Sequence, residues 1–288
     1  MKILVLGVTG MLGSTVFNQL SKANQHDVWG TIRSKECLQF FSKDKHNQLL
    51  SNVDVLDQIN LIDVLNTVRP DVVINCIGLI KQFSDANNPL MALPINSLLP
   101  HRLAKLCLLS NARLIHISTD CIFNGRRGMY SEDDISDAED LYGKSKYIGE
   151  LHDLPHAITL RTSIIGHELN SRTSLVDWFL SQKGEVKGYS KAVFSGLTTL
   201  ELSKVIADLV IPNPTLRGLY HVSVDPIDKF TLLHTIANVY GLQVKVIADE
   251  SLCIDRSLDS TNFQVDTGYK PPSWPSLIKN MYEERMRK

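Results

Sequence analysis

Tyr142 and Lys146 stand four residues apart in Leu141-Tyr142-Gly143-Lys144-Ser145-Lys146, a spacing that puts both side chains on one face of a helix, their polar ends free to reach one cleft. Such a pair suits proton delivery to the oxyanion left when hydride reaches a carbonyl. A free phenol, with a pKa of about 10, is a weak acid at neutral pH, and a neighbouring ammonium lowers that value by stabilising the phenolate. The pair therefore predicts a phenol made more acidic by Lys146. At the start of the chain, Ile3-Leu4-Val5-Leu6 runs into Gly7-Val8-Thr9-Gly10-Met11-Leu12-Gly13, with Val16, Phe17 and Leu20 following Leu12 at helical spacing. Strand, glycine turn and helix in that order make a cradle for a pyrophosphate. Glycine lets the backbone turn sharply and approach the anion, the first helical turn offers N–H groups and the positive end of a dipole, and the last glycine lets the helix pack on its strand. Gly7, Thr9, Gly10, Met11, Leu12 and Gly13 are accordingly the first candidates for dinucleotide binding.

The elements that must hold these groups follow in alternation. A second strand, Val28–Ile32, ends at Arg33-Ser34. A carboxylate there would bind the 2′-hydroxyl of NAD, whereas Arg33 suits the 2′-phosphate of NADP, a solvated arginine being the competing reading. Residues 35–47 read as a short helix or loop, and Leu49 to Val55 as a third strand. Ile59, Ile62, Leu65 and Val68 mark a helix stopping before Pro70, and Val72–Ile74 is a buried fourth strand. A helix over 95–109 should begin near Pro94 and bend at Pro100, since proline inside a helix costs about 3 kcal/mol; Asn96 would then lie in its first turn. Arg113–Thr119, Ile158–Arg161 and Leu219–Ser223 complete seven strands.

Short apolar strands alternating with amphipathic helices, without hairpin signals, predict an α/β fold with a doubly wound parallel (Rossmann) sheet. Past Gly166 the alternation loosens into helices over 173–182 and 199–210, strands over 185–189 and 244–247, a helix over 229–240 closed by a left-handed Gly241, and a tail marked by Pro271, Pro272 and Pro275. Residues 1–165, with 196–224 returning, thus form the dinucleotide-binding domain; 166–195 and 225–288 form a smaller mixed α/β lobe for substrate.

Composition narrows the partners. At 288 residues and 43% hydrophobic, the chain has ample apolar material for a core, and a net charge of −1 provides no basic field for nucleic acid or an anionic membrane. Five scattered cysteines (Cys37, Cys76, Cys107, Cys121, Cys253) without a C-x-x-C point away from a disulfide framework or zinc site and towards a reducing cytoplasm. No leader-like segment and no apolar run of membrane-spanning length is evident. Glu132, Asp133 and Asp134 lack metal-ligand spacing and read as a solvated loop, so no metal is expected.

Four segments in order carry a resemblance: the opening G-x-x-G-x-x-G turn, Ser118-Thr119-Asp120-Cys121-Ile122-Phe123-Asn124-Gly125, Tyr142 to Lys146 with Gly149-Glu150 after it, and Leu160-Arg161-Thr162-Ser163. Together they resemble the extended short-chain dehydrogenase/reductases, and within them most closely the dTDP-4-dehydrorhamnose reductase family. The resemblance implies that Thr119 hydrogen-bonds the reacting carbonyl, Tyr142 donates the proton and Lys146 supports it while holding the nicotinamide ribose. A strand-end threonine satisfying its own loop is the alternative for Thr119. The resemblance also extends the cofactor contacts to Asp54, Val55, Cys76, Ile77, Gly78, Asn96 and Ser118, and sets Asp120 beside the sugar. Arg256, in Asp255-Arg256-Ser257-Leu258-Asp259, would take the nucleotide diphosphate, because a guanidinium matches phosphate oxygens bidentately; a surface pairing with Asp255 or Asp259 competes with that. Lys81 and Lys191 are weaker candidates.

Departures from the family surround the sugar pocket. Cys121 replaces a usual tyrosine, Ile164-Ile165 stand where an aromatic residue is usual, and Gly78-Leu79-Ile80-Lys81-Gln82 differs from a small-residue loop. The expectation is an NADPH-preferring reductase, with NAD as the other dinucleotide, acting on a nucleotide-diphosphate 4-keto-6-deoxysugar at C4. A UDP-4-keto-6-deoxy-N-acetylhexosamine reductase, a nucleotide-sugar epimerase and a non-catalytic NADP-binding regulatory subunit stay open, as does a homodimer.

Overall fold

The computed structural model describes residues 1–80, 87–170 and 173–287. It opens with β1 (Lys2–Leu6), α1 (Met11–Lys22), β2 (Asp27–Thr31) and two 3₁₀ turns over Lys35–Phe40 and Lys43–Gln48. The third strand, β3, is only Leu49–Leu50 and not a run to Val55, because Asn52 takes a left-handed φ of 62° and turns the chain away from its neighbour. Val53 and Val55 still go into the core. Then come α2 (Gln58–Val68), capped by Asp57, and β4 (Val72–Asn75).

The crossover helix differs from its expected form. It starts earlier, as α3 (Pro89–Ala92) with Asn88 as its cap, continues as a π-helical stretch over Leu93–Leu98, and becomes α4 (Leu99–Leu109). Pro94 and Pro100 are each the second residue of their stretch, the π stretch and α4, where a change of hydrogen-bond register leaves a missing N–H least costly. Asn96 is therefore inside the helical run, 1% exposed, and not in a first turn.

β5 (Arg113–Thr119), α5 (Leu141–Ile148), β6 (Ala157–Thr162), β7 (Ile164–Ile165), α6 (Leu175–Leu180), β8 (Gly184–Tyr189), β9 (Ala192–Phe194) and β10 (Leu197–Thr198) follow. The chain ends through α7 (Thr199–Val205), a π-helical extension to Val210, β11 (Gly218–His221), β12 (Ile227–Asp228), α8 (Lys229–Tyr240), β13 (Val244–Asp249), β14 (Ile254–Asp255), α9 (Thr261–Thr267) and α10 (Trp274–Met286). Gly241 closes α8 with φ 66°, as expected. The proline-marked tail is helical, with Pro275 in the first turn of α10, where its fixed φ suits a helix start.

Seven strands form one sheet in the order β11-β6-β5-β4-β1-β2-β3, each pair parallel. Alternation along β1 explains why both faces are covered: Ile3 and Val5 enter the core shared with α1, while Leu4 and Leu6 enter the one beneath α2 and α4. The parallel order brings the C-terminal ends of β1, β4, β5 and β6 to one edge, where such sheets bind ligands. Smaller sheets pair β7 with β10, β8 with β13, and β9 with β12 on one side and β14 on the other. Glu132 is half-buried and not a free loop carboxylate: it accepts from the His221 N–H (2.8 Å) and from Asn262 Nδ2 (3.0 Å), tying its loop to β11 and α9. No helix of the described residues is long and apolar enough to cross a membrane.

Candidate active site

At the sheet edge the glycine turn is a matter of space as well as φ. Gly7 has φ 81°, and a Cβ on Gly13 would lie 2.2 Å from the Gly7 carbonyl oxygen, a clash that only backbone movement relieves. Gly13→Ala is expected to cost about 1–3 kcal/mol as an overpacking change, measured as a lowered denaturation midpoint, because α1 must lift off its turn. Gly10 takes the cap position of α1 and supplies no side-chain cap, its N–H bonding back to Gly7 O (3.1 Å). An approaching anion thus meets backbone N–H groups without competition from a capping side chain.

A cleft of about 560 Å³ runs from this turn past the ends of β4, β5 and β6 to β9 and β14. Thr9, Gly10, Met11 and Leu12 line it, as do Cys76, Ile77, Gly78 and Ser118. The β4 exit is held by Asn75, whose Oδ1 accepts from Ile77 N (3.1 Å) while its amide meets His116 Nδ1 (3.1 Å). Asn96 does not line the cleft. Its side chain is spent on Leu79 N (2.8 Å), Leu79 O (3.0 Å) and Ser145 Oγ (3.1 Å), fastening the β4 exit to α5. Arg33 is exposed beyond β2, and Asp54 turns back to cap Leu56 N (2.9 Å); with Val55 they lie off the cleft's lining residues. Lys81 lies outside the described residues. Lys191 pairs with Glu250 at 2.6 Å and also lies off the lining.

α5 carries Tyr142 and Lys146. Asp140 caps it by accepting from Gly143 N (2.8 Å), and Gly143 permits its approach to the β5 loop: a Cβ there would lie 2.3 Å from Cys121 O. Tyr142, Lys146, Thr119 and Asp120 consequently line the same stretch of cleft. The expected acidic phenol is not found. Burial pushes the Tyr142 pKa up, the Cys121 and Asp120 groups add to it, and a Thr119 hydrogen bond is the opposing influence. Lys146 is not among the leading influences, its ammonium being committed to Ile117 O at 2.8 Å. Burial also lowers Lys146 to about 8, against the pull of Glu150 and Cys76.

Thr119 serves its own loop as well as facing the cleft, accepting from Cys121 N and donating to Asp120 Oδ1, each at 3.2 Å. Burial raises the Asp120 carboxyl despite Arg256 and hydrogen bonds from Cys121, Thr119 and Ser163. Arg256 pairs with neither Asp255 nor Asp259. Its Nε donates to Phe123 O (2.7 Å) and Nη1 approaches Cys121 Sγ (3.8 Å), which leaves donors facing the cleft.

Two features went unassigned in the sequence. Glu150 and Arg161 form a buried bidentate pair at 2.8 and 2.7 Å, with Ser118 Oγ donating to Glu150 at 2.6 Å; both sit in the quoted motifs, so the signal was present without its role. Lys229, at the first turn of α8, also lines the cleft, and no spacing rule marks it.

A parallel doubly wound sheet with a glycine turn and a cleft at its C-terminal edge defines a Rossmann-type α/β protein. Residues 1–286 match the family described as the RmlD substrate binding domain, and the chain belongs to that family. It is 23% identical to methionine adenosyltransferase 2 subunit beta of Mus musculus, over 98% of this chain and 90% of that protein. It is 24% identical to dTDP-4-dehydrorhamnose reductase of Aggregatibacter actinomycetemcomitans, over 97% and 98%. In fold it is similar to the crystal structure of dTDP-4-dehydrorhamnose reductase from Bacillus anthracis in complex with NADP (TM-score 0.80, 21% identity, 98% and 99% covered).

Proposed function

We propose that this chain is an NADPH-preferring reductase of a nucleotide-diphosphate 4-keto-6-deoxysugar, with NAD as the secondary dinucleotide. The observation that carries the reading is the convergence of Thr119, Tyr142 and Lys146 on one cleft that begins at an uncapped glycine turn. That turn fits a dinucleotide, since Thr9 to Leu12 line the cleft at the uncapped start of α1 and its glycines leave no Cβ in the way. Thr9 to Leu12 would hold the pyrophosphate, Cys76 to Gly78 would flank the nicotinamide half, and Lys146 would hold the ribose. A reduced nicotinamide bound there supplies hydride to the substrate carbonyl carbon. The chain's own groups then manage the oxygen. Thr119 donates to the developing oxyanion, and Tyr142 O–H transfers its proton, leaving a phenolate that solvent re-protonates.

The raised phenol does not oppose this direction. An alkoxide is far more basic than even a buried phenolate, so donation is downhill, whereas deprotonating the alcohol would be hard. Residues 166–195 and 225–288, with the small β9 sheet, would form the sugar-nucleotide side. NADPH oxidation with a panel of 4-keto nucleotide sugars tests the reading; a panel with no turnover and no product would remove it.

The pH dependence follows from Lys146. Its ammonium is present below about 8 and lost above it, so reduction should fall as pH rises through about 8. In Lys146→Met the residual rate should lack that limb, as read from the pH profile of kcat/KM.

The length of the match to methionine adenosyltransferase 2 subunit beta favours a second reading, a non-catalytic dinucleotide-binding subunit. Tight NADP binding with no turnover of any 4-keto nucleotide sugar would select it. Retention of a proton donor beside a hydroxyl donor supports the first.

A further inference from the structure

Among the described residues lining the cleft there are three cations: Lys146, Lys229 and Arg256. Lys146 is committed to the Ile117 carbonyl. Lys229 is half-buried, and its ammonium makes no hydrogen bond or ion pair with any described residue. A cation without a counter-charge at the wall of a cleft is placed to meet an anion that enters it.

The β9 sheet fixes where Lys229 sits relative to Arg256. Asp228 is opposite Val193 on one side of β9, and Asp255 is opposite the same residue on the other. β12 runs antiparallel to β9 and β14 parallel, so Lys229 leaves this row towards Ala192 and Arg256 leaves it towards Phe194. Lys229 and Arg256 thus flank the face that β9 turns to the cleft, whose lining includes Ala192, Val193 and Phe194. Strands about 4.8 Å apart and a rise of about 3.4 Å per residue set the two Cα atoms on the order of 12 Å apart, at diagonal corners of that face. Two long side chains at that separation can converge on one polyanion. Their ends are not equivalent: Arg256 is beside Cys121 and Asp120 at the proton-transfer end, and Lys229 is at the other corner.

We propose that Lys229 binds the nucleoside-proximal phosphate of a sugar nucleoside diphosphate and Arg256 the sugar-proximal phosphate, so that the substrate crosses the β12-β9-β14 face with its sugar at Thr119 and Tyr142. This rests on the nucleotide-sugar reading above and adds to it a second cation and a direction.

Calorimetric titration of the full chain with dTDP, dTMP, UDP and UMP tests it. Lys229→Gln should weaken the diphosphate that binds and its monophosphate alike, by about tenfold or more, the worth of one charge-assisted contact. Arg256→Gln should weaken the diphosphate similarly and leave the monophosphate within about twofold of wild type. Lys229→Arg should restore most of the affinity, and melting curves should show all three variants folded. Wild-type affinities in Lys229→Gln, or the two patterns exchanged, would overturn the proposal while leaving the nucleotide-sugar reading intact. If the wild type binds none of the four nucleotides, that reading fails and the assignment of Lys229 fails with it.

Discussion

Tyr142→Phe should lower kcat/KM for carbonyl reduction by about 10²–10⁴-fold, the usual contribution of a positioned general acid. Phenylalanine keeps the ring and removes the only atom that can give the proton. The phenol is buried and pushed above its ordinary value, so in the wild type it is protonated throughout the neutral range and available as the donor. NADPH affinity should be unchanged within error, since the glycine turn and Lys146 are untouched, and the melting temperature should move little, because one modest hydrogen bond to Thr119 is lost. Stopped-flow NADPH oxidation beside a fluorescence titration of the same variant separates these outcomes. A full reduction rate in the variant would mean that solvent or Asp120 delivers the proton, and the assignment of Tyr142 would be withdrawn.

The largest stability effect is expected from Glu150→Ala. Arg161 is 1% exposed and Glu150 4%, and the carboxylate accepts two guanidinium bonds, the Ser118 hydroxyl, and a His152 contact at 3.5 Å. Removing one partner strands a buried guanidinium, which typically costs 3–5 kcal/mol, or about 10 °C in Tm for a chain of this size. Differential scanning calorimetry measures it. The double replacement Glu150→Met with Arg161→Met should recover much of the loss, because two matched apolar side chains leave no uncompensated charge; a double variant no more stable than the single would show that the network's geometry matters more than its charge.

The same pair sets an acid limit. Burial raises the Glu150 pKa, but hydrogen bonds from His152, Arg161 and Ser118, with the Arg161 charge, outweigh it, and the folded value is below the unfolded one of about 4.5. Glu150 therefore contributes stability above about pH 4.5, and that contribution is lost as pH falls through the folded pKa.

Local rules determined a great deal here. The glycine turn, the seven-strand alternation, the α8 boundaries and the face shared by Tyr142 and Lys146 depend on periodicity and backbone sterics within a dozen residues, and these act alike in any context. Where Asn52 took a left-handed φ, and where Pro94 and Pro100 were absorbed by a change of helical register, the outcome depended on what the segment packed against, so β3 came out short and the crossover helix long. Burial is the sharpest case. Tyr142 beside Lys146 reads as an acidified phenol while only their spacing is known, but desolvation depends on every element closing over the pair, and it reversed the sign. Partners distant in sequence were equally invisible: Asn96 with Leu79, Arg256 with Phe123, Glu132 with His221, and the corner that Lys229 holds opposite Arg256. The chain encodes local geometry directly, whereas charge balance and solvent exclusion exist only once remote segments meet.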